Sequence, residues 1–315
     1  MTLGVRETTA LVVARARRVQ IDQEAVAALA TTLQRSLPTT PAWNQRYHLT
    51  GPPDDLAQYL LLVDALNFSF WGDPKWTIEF EGEPLDGYWA LAAALKRAIL
   101  AGVPLLDARF LATLDRATLA EVLHGNVEIP LLDDRLANAR EVGQVLLDRY
   151  GGAFATAIAL ADGSAVALVR LLVEQFSSFD DRARYAGWDV RFYKRAQLLA
   201  ADLAAAGAVP GWRDIAELTV FADYQLPRVL RAFGVLKYDS ALAAAVDARR
   251  EIPAGSAEEV EIRAATVQAG ELLRGALTSL GRSITSAEVD YLLWTAAQAG
   301  LPNDRPYHRT RTIFY

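Results

Sequence analysis

The chain contains no cysteine, which excludes disulfides, thiolate metal sites, iron–sulfur clusters and thiol nucleophiles together. Histidine is nearly as scarce: His48, His124 and His308 are the only three, and none has a partner four residues away. The H-E-x-x-H arrangement of zinc hydrolases is therefore ruled out. Positive charge is not in excess either, since 38 acidic residues against 32 basic ones leave a net charge of −6. A protein that grips a duplex shows a basic balance or a basic stripe, so a DNA or RNA polymer is not an expected partner. No run of 18 or more apolar residues free of charge occurs, and no membrane span is expected. Residues 1–22 break their apolar stretch with arginines and offer no small-residue cleavage site, unlike a signal peptide. These absences point to a soluble, cytoplasmic protein.

What is present is 315 residues, 52% of them hydrophobic and 22% charged, enough to bury a sizeable core and too apolar for disorder. Alanine and leucine dominate and β-branched runs are short, which favours helices over strands. Ser256-Ala-Glu-Glu259 has the form of a capping box, as do Thr285-Ser-Ala-Glu288 and Thr118-Leu-Ala-Glu121. Apolar residues at spacings of three and four follow, as in Ile262, Ala265, Ala269, Leu272 and Ala276, and Gly151-Gly152 closes a helix begun near Leu132. The pattern predicts helices at about 6–18, 23–36, 54–66, 88–100, 116–124, 132–149, 153–160, 164–175, 190–206, 224–233, 238–248, 257–278 and 286–299. One small hairpin is expected, Trp76 to Phe80 with a turn at Glu81-Gly82-Glu83-Pro84. No linker divides the chain. The expected fold is all-α, one compact multi-helical domain over 1–315 with room for two lobes around a cleft.

Four segments break the helical pattern, and chemistry tends to sit where local rules are violated. Asp64-Ala-Leu-Asn67-Phe68-Ser-Phe70-Trp71-Gly-Asp73-Pro ends a helix with aromatic rings, an amide and carboxylates, a combination suited to a planar hydrogen-bonding ligand; core packing is the plainer alternative. Phe176-Ser-Ser-Phe179-Asp180-Asp181-Arg182 puts two adjacent carboxylates on a loop, where they either cap a helix or accept from a guanine-like edge. Lys194 and Arg195, next to Phe192 and Tyr193, can hold a phosphate or simply be solvated. In Leu218-Thr-Val-Phe221-Ala-Asp223-Tyr224-Gln225-Leu-Pro227-Arg228, Asp223 ends a buried run just before a helix. It is a good N-cap, and equally the place for a desolvated catalytic carboxylate. The tail Pro306-Tyr307-His308-Arg309-Thr-Arg311-Thr-Ile-Phe314-Tyr315 ends in apolar residues that favour docking, and His48 lies in a loop before the helix start at 51–54.

Taken together these segments resemble the queuosine salvage proteins, the queuosine 5′-phosphate N-glycosylases. The resemblance rests on LNFSFW at 66–71, GYWALAAALKRAI at 87–99, FYKRAQLL at 192–199, FADYQLPRVL at 221–230 with LKY at 236–238, and YHRTRTIFY at 307–315. It implies an all-α fold similar to helix-hairpin-helix DNA glycosylases. It also implies hydrolysis of queuosine 5′-phosphate to queuine and ribose 5-phosphate, without metal or cofactor, with Asp223 of the F-A-D-Y motif as the catalytic residue. Queuine would then be salvaged into tRNA modification. The enzyme alternative is a DNA or RNA base glycosylase of similar fold, against which the acidic charge speaks. The non-enzyme alternative is a helical protein that binds queuine or a nucleotide without turning it over, its aspartates serving only as caps.

N-glycosidic cleavage passes through an oxocarbenium-like sugar, which a carboxylate near C1′ stabilises. Queuine is a 7-deazaguanine with no N7 to protonate, so donors at O6, N3 or N9 must offset the leaving charge; Asn67, His48 and Tyr224 are the candidates. The guanine-like edge and the protonated secondary amine of the aminomethyl-cyclopentenediol arm both ask for carboxylates, assigned to Asp180, Asp181 and Asp64. Phe70, Trp71 and Phe179 are the stacking candidates, and Lys194, Arg195, Arg228 and Lys237 the phosphate candidates.

Overall fold

A computed structural model describes residues 2–36, 43–301 and 303–315. Capping chemistry sets most helix starts. Ser164, Asp239 and Ser256 each accept the amide three residues on, at the heads of α9 (Ala165–Gln175), α12 (Ser240–Asp247) and α13 (Ala257–Ser279). Thr285 and Glu288 close a full capping box on α14 (Ser286–Ala299). Ser256 makes only half of one, because Glu259 turns its carboxylate to the Gly255 amide instead. Thr118 is not a cap: Asp115 takes that place, accepting both the Thr118 amide and its hydroxyl, and α6 (Arg116–Val122) begins earlier.

The remaining helices are α1 (Val5–Val13), α2 (Gln23–Ser36), α3 (Pro53–Ala65), α4 (Gly87–Leu100), α5 (Ala108–Ala112), α7 (Leu132–Tyr150), α8 (Phe154–Leu160), α10 (Lys194–Ala205) and α11 (Gln225–Ala232). The structure is thus predominantly helical, as expected, and among the described residues strands are confined to two-stranded antiparallel ladders. The expected hairpin is β2 (Thr77–Phe80) with β3 (Glu83–Asp86), registered Thr77 to Asp86. Two further ladders were not expected. In one, β1 (Val19–Ile21) pairs with β6 (Leu236–Tyr238) across more than two hundred residues, a separation no local pattern announces. In the other, β4 (Arg182–Tyr185) pairs with β5 (Trp188–Arg191), which takes the first residues of the helix expected from 190. That helix starts at Lys194 because the Phe192 and Tyr193 amides both donate to the Asp181 carbonyl, with Tyr193 held at a φ of 51°. Among the described residues no helix is long and apolar enough to cross a membrane.

The core has two parts. One gathers α3, α4, α7, α9 and α10; the other gathers α2, α11, α12 and α14. Helix α13 serves both, because its opposite faces are each apolar. Val260, Ala264 and Val267 face the first core, while Ile262, Ala265, Ala269 and Leu273 face the second. Helix α3 is buried from Ala57 to Ala65 on every side, so its one acid there, Asp64, has no water to turn to.

Candidate active site

The apolar run before Asp223 crosses the molecule as an extended segment without a strand partner, and side chains replace the missing ladder. Gln197 of α10 accepts the Thr219 amide at 2.9 Å, Asp290 of α14 accepts the Phe221 amide at 2.7 Å, and Arg263 of α13 donates to the Ala222 carbonyl at 3.2 Å. Gly270 lets the segment lie against α13, since a Cβ there would meet Val220 Cγ1 at 2.5 Å. Three helices thereby deliver Asp223 to one spot. Its Oδ1 accepts the Gln225 and Leu226 amides at 2.7 and 2.9 Å, fixing the carboxylate at the head of α11. Among the described residues Oδ2 receives no hydrogen bond.

Asp223 lines a cavity of about 890 Å³, near the upper end of what small-molecule sites enclose. The cavity lies between the two cores, with Phe70 and Phe221 of one and Leu226, Ile284 and Leu292 of the other in its wall. Asn67, His48, Lys194 and Tyr224 share the wall with Asp223, so six of the residues singled out in the sequence, Phe70 included, meet here. Burial pushes the Asp223 carboxyl above its usual range, against the opposing effect of Lys194 and the two amides. Lys194 is itself recessed, its pKa lowered by burial and held up by Asp223, Asp64 and Asp290. Its ammonium has no carboxylate within ion-pair distance and no hydrogen-bond acceptor among the described residues. His48 is buried against Trp43 (ring centroids 4.1 Å apart), and burial depresses its pKa to about 3, so the imidazole is neutral near pH 7.

The other residues singled out go elsewhere, each for a visible reason. Asp64 is buried outside the cavity lining; among the described residues its carboxylate accepts only from Asn67 Nδ2, at 3.4 Å, and burial raises its pKa to about 7. Trp71 packs with Tyr224 and Tyr315 behind the wall. Asp181 is taken by Arg263, whose two terminal nitrogens donate to its two oxygens at 2.9 and 2.5 Å. Asp180 pairs with Arg182 at the surface. Phe179 is buried under the Arg195 guanidinium, which donates to the carbonyls of Asp64, Ala65 and Ser178 and closes the C-terminus of α3. Arg228 is bound through two nitrogens to Asp304, and Lys237 pairs with Asp22 beside the β1–β6 ladder. None of these eight lines the cavity.

Several cavity residues were not singled out. Asp202 lies on α10, eight residues and two turns beyond Lys194, and accepts the Tyr88 hydroxyl at 3.1 Å. Its signal was a lone acid on the face shared with Leu198, Ala201 and Ala205. Asp290 breaks the apolar stripe of α14 in the same manner. Arg282, on the loop before α14, lines the cavity with no ion pair among the described residues; nothing in its local sequence marks it. Tyr307 and Tyr315 show that the tail does dock, with the Ser69 amide donating to the Tyr315 carbonyl at 2.9 Å.

A sequence model of the queuosine salvage proteins matches residues 47–315. The chain belongs to the queuosine salvage protein family. Among its relatives is a Sphaerobacter thermophilus protein, 50% identical across 99% of this chain and 98% of its own length, named queuosine 5′-phosphate N-glycosylase/hydrolase. A Mus musculus protein of the same name is 35% identical over 99% of both chains, and one from Schizosaccharomyces pombe is 30% identical over 89% of this chain and 87% of its own. Every motif on which the resemblance rested falls in the matched region.

Proposed function

We propose that this family member hydrolyses the N-glycosidic bond of queuosine 5′-phosphate, releasing queuine, with Asp223 as the carboxylate at C1′. The observation that carries this is the half-engaged carboxylate: two amides fix Oδ1 while Oδ2 is left for a ligand, in a cavity large enough for a nucleotide. As the bond to the base lengthens, positive charge grows on the sugar, and a fixed anion needs no reorganisation to meet it. Lys194 opposes the rise that burial imposes on the Asp223 carboxyl. With Arg282 it supplies fixed positive charge for the phosphate, the two being cavity cations without an acidic partner at ion-pair distance among the described residues.

The neutral His48 imidazole, Asn67 and the Tyr224 hydroxyl offer donors to the departing base, which has no N7 to take a proton. Phe70 and Phe68 give it flat apolar surface. The partner is a small molecule, not a nucleic-acid strand.

The test is direct. Purified protein is incubated separately with queuosine 5′-phosphate, queuosine and GMP, and free base is followed by mass spectrometry. Queuine release from the monophosphate, lost in Asp223→Asn, is the expected result. Tight queuine binding without release from any substrate would make the protein a carrier or sensor instead.

A further inference from the structure

Elsewhere in the wall of the same cavity, aromatic rings converge on a second carboxylate. Eight residues of α10 separate Lys194 from Asp202, roughly 12 Å along the helix at 1.5 Å per residue. Around Asp202 the cavity is walled by Tyr88, Trp89, Trp294, Trp43 and His48. Trp89 and Trp294 stand edge to face with centroids 5.4 Å apart, and Tyr88 lies 5.4 Å from Trp89 and 6.5 Å from Trp294. The Tyr88 hydroxyl ties this box to the Asp202 carboxylate. The nearest cation to act on Asp202 is Lys194, and no basic group lies within ion-pair distance of it among the described residues. A recessed carboxylate without a counter-ion, beside electron-rich ring faces, is the arrangement that takes an ammonium ion.

We propose that Asp202, Tyr88, Trp89 and Trp294 form a subsite for a cationic amine carried on the substrate's base, which on the function proposed above is the protonated arm amine of queuosine. The inference rests on that reading for the identity of the amine, and on the cavity alone for its charge. It moves arm recognition away from Asp180, Asp181 and Asp64, which do not reach the cavity. Asp223, at the head of α11, acts at the sugar, and Asp202, on α10, selects the base. Burial, with the neighbouring acids Asp64 and Asp290, holds the Asp202 carboxyl well above its ordinary range, and Lys194 opposes that rise. An ammonium ion seated beside it favours the anion.

The test compares queuosine 5′-phosphate with 7-deazaguanosine 5′-monophosphate, which differs by lacking the arm. The expected result is that the native protein prefers the arm-bearing nucleotide in kcat/KM, and that Asp202→Asn and Trp294→Leu each cut this selectivity ratio by about tenfold or more. An unchanged ratio in both variants overturns the proposal, whatever happens to the absolute rates. Calorimetry of queuine against 7-deazaguanine reads the subsite without catalysis. Tighter binding of queuine, lost in Asp202→Asn, supports it; equal affinity for the two bases overturns it. Failure of the native protein to cleave either nucleotide would count against the proposed function, while the binding comparison would still decide the subsite.

Discussion

Two segments of this chain look alike in sequence and do opposite things in the structure. Residues 176–195 and 218–226 each run from buried aromatic residues to an aspartate and on into a helix. In the first, Asp181 has both oxygens held by Arg263 and a further bond from the Lys194 amide, and Asp180 is paired with Arg182. In the second, Asp223 has one oxygen fixed by amides and the other left over. The difference is made by Arg263, which approaches from a helix more than eighty residues beyond the first aspartate. It neutralises Asp181 and also grips the Ala222 carbonyl next to Asp223. One segment is thus scaffold for the other. A carboxylate becomes a candidate for chemistry when the protein stops short of satisfying it.

The largest expected effect breaks the comparison from the scaffold side. Asp181→Ala leaves the buried Arg263 guanidinium with Glu259, at 3.6 Å, as its one acidic partner among the described residues. Removing one partner of such a pair costs about 3–5 kcal/mol. Chemical denaturation should show that loss, with base release falling as well because Arg263 no longer holds Ala222 in place. Full stability with abolished activity would instead make the 176–195 loop part of the site.

Asp223→Asn tests the other side. The asparagine oxygen can still accept the Gln225 and Leu226 amides, so stability should change by less than about 1 kcal/mol. The lost charge should raise the barrier by about 3 kcal/mol, a hundredfold or more in kcat. Stability loss without rate loss would reduce Asp223 to a helix cap.

Much of this was legible beforehand, and what was not has a physical reason. Helix positions follow local periodicity and caps, and thirteen expected segments have counterparts; among the described residues only one α-helix, the five-residue α5 with no room for a period, went unseen. The β1–β6 ladder joins residues over two hundred apart and leaves no local trace. Asp223, Lys194, Asn67, Phe70, Tyr224 and His48, which line the cavity, drew notice because they sit at breaks in the pattern. Asp202 and Asp290 sit inside regular helices, where an acid reads as solvated until the neighbouring helix is known. Arg195, Arg228 and Lys237 lie outside the cavity lining for the converse reason. Their charge was visible, but the carbonyls and carboxylates that consume it come from distant segments.

Lys194→Met sharpens the contrast through pH. In the native protein burial raises the Asp223 pKa and Lys194 opposes that rise. The ionised form is the active one, so kcat/KM should fall as pH drops through that raised pKa. Removing Lys194 takes away an effect that lowers the pKa, so the acid limb should move to higher pH. A pH–rate profile checks the direction. His48 stays neutral throughout this range, with its pKa near 3, and adds no limb of its own. An unmoved limb would mean that Lys194 serves the substrate alone.

The smallest effect is expected where the two segments differ most in exposure. Asp180 and Arg182 keep 23% and 53% of their side-chain surface, and an ion pair so hydrated and so easily reorganised contributes about 0.2–1 kcal/mol. Asp180→Ala should therefore change stability within that range and leave base release and substrate selectivity as they are. This near-silence carries information, because Asp180 and Asp181 are neighbours of the same type in one loop. If the adjacent substitutions separate as expected, burial and the reach of one distant arginine decide what each acid does. A large loss of selectivity in Asp180→Ala would return the loop to the substrate and overturn the division of labour between the two segments.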